Sequence, residues 1–447
     1  MTPPPPTPPA TTPDPSSSAV VAARARGEIA HLRWWIVGLL FLSSVINYVD
    51  RQTLSILART VQDDLHLSDA GYARVVQAFL LAYTLSYLVS GRITDWLGTR
   101  VSMAVFIIWW SLANIGTAFA TSLFTLGVWR LLLGIGEPGN WTVGPKALSE
   151  WFPARERGLA YGIFTMGATI GATLAPPLIA WLAVSYGWRG AFVVTGVLGL
   201  LWVVPWLWLY RPPHEHPRLT GAERVLVPPA AIRPDMIRTG ASGGVERALW
   251  RTLLTQRDTW LLLGTRVLTD PVWYFYLFWF PKYLTDTRGL SLVEVGRVAW
   301  AVYLAADLGA LLGGWLSGRL IDRGHAPIAA RKMVLRLAAT TILVGPLVAW
   351  APSIPLVLLC AGIVALSQLA WQVTIGALIV DRYPPASVAT AFGIIAAGSG
   401  FGGMVSTGVV GYLVTNYSYV PVFATMAVLH PLALVLVWFV REARPQQ

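Results

Sequence analysis

The chain has 447 residues, of which 55% are hydrophobic and only 12% are charged. Soluble domains usually carry about 25% charged residues, so this composition excludes an ordinary soluble protein. The net charge of +11 could indicate nucleic-acid binding, but the arginines fall in short segments between apolar blocks and form no continuous basic helix. We therefore expect a membrane protein that binds no nucleic acid.

The apolar residues form twelve blocks, each long enough to cross a bilayer as a helix of about 20 residues. This pattern predicts an all-α membrane protein with twelve transmembrane helices. The predicted spans are residues 32–55, 71–90, 103–120, 124–147, 160–184, 189–209, 259–284, 293–316, 334–350, 354–380, 388–414 and 420–440.

The segments outside the spans predict the domain organisation. Residues 1–30 begin with a Pro-, Thr- and Ser-rich stretch that cannot build a core, which predicts a disordered tail rather than a signal peptide. Residues 31–210 and 258–441 form two six-helix bundles, joined by a linker, 211–257, that is rich in Arg, Pro and Gly. Residues 442–447 form a short tail. Cys360, the single cysteine, can form no intrachain disulfide and is expected to be a buried hydrophobic residue.

The basic residues are concentrated in alternate loops, those that follow the even-numbered spans, and on the N-terminal segment. Because Arg and Lys accumulate in cytoplasmic loops, both termini are expected in the cytoplasm of a protein of the inner (plasma) membrane. Lipids are its expected surroundings, and we expect it to act as a monomer.

Two loop motifs occur twice. The segment from Gly91 to Asp95 is repeated 227 positions later as Gly318-Arg319-Leu320-Ile321-Asp322. Glu150-Trp151-Phe152-Pro153 is similarly repeated, 231 positions later, by Asp381-Arg382-Tyr383-Pro384. These matches predict two halves related by an axis along the membrane normal, with a substrate site near the midplane between them.

The loop containing Gly91, Asp95, Gly98 and Arg100 resembles the signature between spans 2 and 3 of the major facilitator superfamily. The resemblance implies the fold of that superfamily, which moves solutes by alternating access. A carboxylate such as Asp95 can face the positive end of a helix and hold the cytoplasmic side closed. We expect this gate to comprise Gly91, Asp95 and Arg100, with Arg319 and Asp322 from the second repeat; the alternative for the arginines is a purely topological role.

Span 1 contains Asp50 and Arg51, and span 4 contains Arg130 and Glu137. A charge at the bilayer centre costs about 2.5–3.5 kcal/mol even on lenient scales, so each needs a partner or a function. The spacing predicts that all four line one wall, where each carboxylate can pair with an arginine. Arginine grips a carboxylate with two parallel hydrogen bonds, and a carboxylate in a dry cavity can carry protons. Internal salt bridges that merely neutralise each other are the alternative.

Further charged residues lie in the second set of spans. Arg266 and Asp270 have the i,i+4 spacing that favours pairing within one helix. Asp307 has no partner in its own span. For all three, the sequence leaves open whether the role is structural or functional.

The sequence also resembles the anion:cation symporter family and, within it, the hexuronate (glucuronate and galacturonate) transporters. The matching stretches are residues 150–157, 269–279, Asn47-Tyr48-Val49-Asp50-Arg51-Gln52 and Gly136-Glu137-Pro138-Gly139-Asn140-Trp141. The resemblance implies that Arg51 and Arg130 hold the substrate carboxylate and that Asp50 and Glu137 couple transport to protons. It also implies that Tyr48 and Tyr83 line the pocket.

Trp371 and Gln372 of span 10 complete the set of expected substrate-binding residues. Gln372 stands where these transporters commonly have a small serine, and residues 165–169 also depart from their pattern. These departures leave the sugar acid undecided. We therefore expect proton-coupled uptake of a hexuronate, with another carboxylate (an aldonate, a tartrate or an aromatic acid) as the alternative. Protons are the expected coupling ion, and no cofactor is expected. A membrane-embedded enzyme or sensor is a distant alternative, because no reactive constellation or added soluble domain is present.

Overall fold

The computed structural model describes residues 29–227, 251–290 and 292–441. The predicted tails therefore lie almost wholly outside the described residues, as does the middle of the predicted linker. The first half contains helices α1 Leu32–Ile56, α2 Ala58–Leu65, α3 Asp69–Leu97, α4 Thr99–Thr117, α5 Leu123–Gly136, α6 Pro138–Trp151, α7 Ala154–Leu209 and α8 Gly221–Leu226. The second contains α9 Arg257–Phe278, α10 Phe280–Asp286, α11 Leu292–Val298, α12 Trp300–Asp322, α13 Pro327–Thr341, α14 Leu347–Trp350, α15 Ile354–Arg382, α16 Val388–Asn416 and α17 Tyr419–Trp438.

The twelve predicted spans are all found as helices, so the predicted all-α architecture is confirmed. Seven helical segments in the described part of the chain are individually long and apolar enough to cross a membrane. One of them, α7, contains 56 residues and two predicted spans, divided where Gly187 adopts a φ of 72°. Four spans consist of more than one helix: span 4 is α5 and α6, span 7 is α9 and α10, span 8 is α11 and α12, and span 9 includes both α13 and α14.

The break between α5 and α6 lies at Glu137 and Pro138. Pro138 occupies the first position of α6, where its missing N–H leaves no hydrogen bond unmade. Glu137 is thus the junction residue of a transmembrane span, and its side chain is completely buried. The sequence predicted one continuous helix here; the proline explains the difference.

Two pairs of helices make the most extensive contacts between the halves. Within the halves, α1 packs on α7 and α3 on α5, while α9 packs on α16 and α12 on α15. Between the halves, α7 packs on α12 and α3 on α16. These four helices thereby surround the centre of the molecule from both sides.

The halves approach most closely near the loops that carry the basic residues, which we call the basic-loop side (residues 98, 152–153, 323–326 and 383–387). A Cβ on Gly91 would lie only 2.1 Å from the carbonyl oxygen of Ala389 in the other half. A Cβ on Gly314 would lie 2.3 Å from the carbonyl of Gly158. Only glycine allows backbones to come this close. The basic-loop side is therefore closed.

The described part of the linker packs on the start of α1. The Glu223 carboxylate accepts hydrogen bonds from the backbone N–H groups of Leu32 and Arg33, at 3.0 and 3.4 Å. It thereby satisfies donors that the first turn of a helix cannot pair internally. Burial lowers the pKa of nearby His216, whose Nδ1 lies 3.1 Å from the backbone N–H of Arg218. A neutral imidazole can accept that hydrogen bond, so the linker is held by uncharged as well as charged contacts.

We expect Gly91→Ala to destabilise the protein by about 1–3 kcal/mol, because the added methyl group overpacks the contact with Ala389. Thermal unfolding of the purified protein in detergent measures this. Gly38→Ala is the matched control, since a Cβ there has nothing within 4 Å. Equal unfolding temperatures for the two variants would contradict the close contact.

Candidate functional site

Arg51 and Glu137 form a buried ion pair at the centre of the N-terminal half. The Arg51 Nε donates a hydrogen bond of 2.8 Å to Glu137 Oε2, and Nη2 lies 2.7 Å from the same oxygen. The second carboxylate oxygen, Oε1, is buried and has no hydrogen-bond partner among the described residues. The Arg51 guanidinium therefore contacts only one of the two carboxylate oxygens of Glu137, and the Arg51 side chain stays 24% exposed. It can still accept an anion.

Aromatic rings enclose the Arg51 guanidinium. Its carbon lies 4.5 Å from the ring centre of Tyr83 and 4.9 Å from that of Tyr48. Phe79 contributes a third ring at 5.7 Å and also faces Arg130, at 5.4 Å. Ring faces attract a cation without neutralising it. The cage fixes the position of Arg51 and leaves its charge available.

Arg130 is buried but poorly satisfied. Its Nη2 donates to the backbone carbonyl of Arg51 at 3.3 Å. Its Nε and Nη1 are buried and have no hydrogen-bond partner within the described chain. An unmade hydrogen bond from a buried group costs about 1–3 kcal/mol, and more when the group is charged. A bound anion that reaches either donor would recover part of this cost.

Asp50 turns away from the two arginines. Its Oδ1 accepts a hydrogen bond of 2.8 Å from the Asn114 amide, which also reaches the Thr195 hydroxyl at 2.8 Å. Its other oxygen is buried without a partner in the described residues. Consecutive residues on a helix point in different directions, and so Asp50 and Arg51 meet different neighbours. The sequence singled out neither Asn114 nor Thr195, because their polar side chains are ordinary in a helix.

Trp371 and Gln372 lie on α15 in the C-terminal half. The Trp371 ring packs edge-on against His430 of α17, with ring centres 5.0 Å apart. The Nε1 of Trp371 and the Oε1 of Gln372 are buried without hydrogen-bond partners in the described part of the chain. The structure thus places Trp371 in the interior of its own half.

Asp95 connects the two halves at the basic-loop side. Its Oδ1 accepts from the Lys146 ammonium at 2.7 Å, and its Oδ2 accepts from the backbone N–H and the hydroxyl of Thr390, at 2.7 and 2.5 Å. Thr390 lies in the first turn of α16, where the helix dipole favours a negative charge. The carboxylate therefore holds the end of a helix from the other half.

The other residues expected in the gate have different surroundings. Gly91 lies against Ala389, as described above. Arg100 donates a hydrogen bond of 2.5 Å to the Leu207 carbonyl, within its own half. The side chains of Arg319 and Asp322 are exposed. The two copies of the repeated loop are thus used differently.

In the second half, Asp381 makes the charged contact across the interface. It accepts hydrogen bonds from Arg157 of the first half at 2.7 Å and from Arg331 of its own half at 3.1 Å. Arg331 also donates to the backbone carbonyl of Ala154 in the first half, at 2.7 Å. These residues were not predicted as gate residues, although Asp381 lies in the second repeated motif.

The fold and the buried arginine site define a polytopic membrane transporter with a site suited to an anion. The chain matches the family model of the Major Facilitator Superfamily over residues 40–329 and 318–447. The chain belongs to this superfamily, and it is a multi-pass membrane transporter rather than an enzyme.

Curated relatives and solved structures agree with this assignment. The chain is 33% identical to the hexuronate transporter of Escherichia coli (strain K12) over 426 residues, which is 94% of this chain and 96% of that one. It is 35% identical to the galacturonate transporter of Dickeya chrysanthemi over 71% of this chain and 91% of that one. The proton:xylose symporter XylE has a TM-score of 0.70 at 16% identity, covering 92% of this chain and 96% of that one. At this identity the last likeness concerns the fold alone.

We expect Asp381→Asn to destabilise the closed protein by about 3–5 kcal/mol, because it leaves two buried arginines without their charge partner. Thermal unfolding in detergent measures the loss. Asp322→Asn, an exposed carboxylate from the repeated loop, should stay within about 0.5 kcal/mol of the wild type. A loss of the same size in both variants would contradict the role given to Asp381.

Proposed function

We propose that the protein is a proton-coupled symporter that carries a sugar acid anion, a hexuronate, into the cell by alternating access. It works as a monomer in the inner (plasma) membrane, with both termini in the cytoplasm. The observation that carries the proposal is the contact between Arg51 and Glu137, in which a partly exposed guanidinium pairs with a buried carboxylate and stays within reach of an anion.

This contact supplies a mechanism for coupling. A substrate carboxylate that reaches Arg51 competes with Glu137 for the same donors. A carboxylate that loses its cation in a water-poor interior takes up a proton rather than staying charged. Substrate and proton thereby favour each other's binding, and thermodynamic linkage makes the effect reciprocal.

Arg130 and Asp50 extend the site. The unpartnered Nε and Nη1 of Arg130 are charged donors, and either can donate a strong hydrogen bond to a substrate carboxylate. Asp50, held by Asn114 through one oxygen only, offers a second group that can bind a proton. The two arginines hold the anion, and the two carboxylates carry the protons.

The closed basic-loop side corresponds to one state of the transport cycle. Because this side carries most of the loop arginines, we assign it to the cytoplasm. The contacts of Asp95 with Thr390 and of Asp381 with Arg157 then hold a cytoplasmic gate shut, while the site is reached from outside. Breaking these contacts in the opposite state would open the site to the cytoplasm.

The nature of the substrate rests on the relatives. Besides the two transporters above, the D-galactonate transporter of Escherichia coli O6:H1 is 28% identical over 87% of this chain and 91% of that one. The anions in the names of these three relatives share one carboxylate and a chain or ring rich in hydroxyl groups. A hexuronate fits the two most similar of them.

Arg51→Ala and Arg130→Ala should each weaken sugar acid binding by about 10- to 100-fold, the value of losing a charged hydrogen bond. Lysine should restore binding only in part, because its single ammonium lacks the planar fork. Isothermal titration with D-galacturonate and D-glucuronate measures both effects. Arg59→Ala is the control, since the Arg59 side chain is 90% exposed. Wild-type affinity in both alanine variants would leave these arginines a structural role only.

Glu137→Gln should uncouple transport from protons, because glutamine imitates the protonated acid and cannot release a proton. We expect the variant to bind substrate and to exchange it in counterflow at equal pH, but not to accumulate it under an imposed pH gradient. Proteoliposome uptake compares the two conditions. Asp50→Asn should show a similar but weaker defect. Accumulation by Glu137→Gln that follows the gradient would contradict the coupling role of Glu137.

A further inference from the structure

A second buried charge pair lies in the C-terminal half. Arg266 and Asp270 are one turn apart on α9, with 3.0 Å between Nε and Oδ2, and both side chains are buried. The i,i+4 spacing alone is consistent with an internal pair that only neutralises itself. The hydrogen bonding of the pair indicates a further role.

The pair is incompletely satisfied. The Nε of Arg266 and the Oδ2 of Asp270 lie 3.0 Å apart without the alignment of a hydrogen bond, and the Nη1 of Arg266 is buried with no hydrogen-bond partner within the described residues. Each unmade hydrogen bond of a buried group costs about 1–3 kcal/mol, which a ligand at this position would recover.

Buried arginines elsewhere in the protein provide the comparison. In Arg33, Arg157 and Arg331, all three guanidinium nitrogens donate to protein oxygens. All three lie at the basic-loop side. Arg266 instead resembles Arg51 and Arg130, which also keep unpartnered nitrogens. By its hydrogen bonding, Arg266 belongs with the arginines of the proposed substrate site.

Tyrosines connect the pair to that site. Tyr87 from the N-terminal half and Tyr274 of α9 lie within electrostatic range of Arg266. The Tyr87 hydroxyl is 3.0 Å from that of Tyr83, whose ring faces Arg51. Tyr274 lies within electrostatic range of Tyr83 as well. The hydrogen-bonded Tyr83 and Tyr87 of α3 therefore link the surroundings of Arg51 with those of Arg266 in the other half.

Tyr161 also reaches across the interface towards the pair. It belongs to the first half, and a Cβ on Gly376 of α15 would lie 2.4 Å from its ring. Its phenol lies within electrostatic range of both Arg266 and Asp270. The pair is thus enclosed by side chains of both halves, as expected for a site between them.

We propose that Arg266 and Asp270 form a subsite for the hydroxyl-bearing end of the sugar acid whose carboxylate is held by Arg51 and Arg130. This inference rests on the function proposed above. Sugar hydroxyls both donate and accept, so they match an aspartate oxygen and guanidinium N–H groups that lie side by side. The pair is neutral as a unit, and it therefore selects an uncharged end over a second carboxylate.

The charge balance of the pair makes the subsite testable with two ligands. D-Galacturonate and galactarate differ at one end, which is a hemiacetal in the first and a second carboxylate in the second. Asp270→Asn leaves Arg266 as an uncompensated cation that can hold a carboxylate. Arg266→Gln leaves an uncompensated anion that repels one.

Isothermal titration of the detergent-purified protein measures the dissociation constants of both ligands. The wild type should prefer D-galacturonate. Asp270→Asn should shift the ratio of the two constants towards galactarate by about tenfold or more, the value of one charged hydrogen bond. Arg266→Gln should weaken the binding of both ligands, and that of galactarate more strongly. Lys282→Gln is the matched control, because Lys282 and Asp286 form an exposed pair of the same spacing on α10; its ratio should equal that of the wild type.

The outcomes separate the two proposals. A wild type that binds neither sugar acid overturns the proposed function and the subsite with it. A wild type that binds D-galacturonate, with unchanged ratios in Asp270→Asn and Arg266→Gln, overturns the subsite alone. If those variants do not fold, Tyr274→Phe is tested instead. This variant should weaken the binding of D-galacturonate several-fold more than the binding of acetate. An equal effect on both ligands overturns the subsite.

Discussion

A charge buried among membrane helices loses its hydration, and this cost organises the whole protein. The effective penalty is several kcal/mol per ion, and it is offset only by a partner with good geometry and by further hydrogen bonds. Where the partners are complete, as for Arg331 between Asp381, Ser317 and Ala154, the charge holds helices together. Where they are incomplete, as for Arg130, unmade hydrogen bonds remain, and a ligand can supply them. The cost of burying a charge thus stabilises the closed gate where the partners are complete and favours ligand binding where they are not.

The internal repeat supplies a common scaffold, but the two halves use it differently. In the first half, Asp95 of the repeated loop holds the start of α16. Its counterpart Asp322 is exposed, and the charged contact from the second half comes instead from Asp381, in the other repeated motif. Pseudo-symmetry therefore predicts where the gate elements lie. Which residue makes the contact at each element depends on its immediate neighbours.

The sequence predicted the architecture well because long apolar blocks leave few alternatives in a membrane. It also predicted that Arg51 and Glu137 share one wall, where the structure has them as an ion pair. It could not predict that Asp50 meets Asn114, because this contact depends on how α1 and α4 are rotated about their axes. The contact of Arg157 with Asp381 joins residues 224 positions apart and depends on the packing of the halves. The hydrogen bonding of Arg266 depends on which side chains pack around it, and the sequence alone does not give that packing.

Asp381 has a consequence for the energetics of the closed gate. It serves two arginines, but only Arg157 belongs to the opposite half. When the halves separate on this side, Arg331 keeps its carboxylate, whereas Arg157 loses its charge partner and becomes accessible to water and dissolved ions. Mobile anions can then screen that cation within a Debye length of about 8 Å at physiological ionic strength. The equilibrium between the closed and open gate should therefore shift with the salt concentration of the solution on that side of the membrane, independently of substrate and of pH.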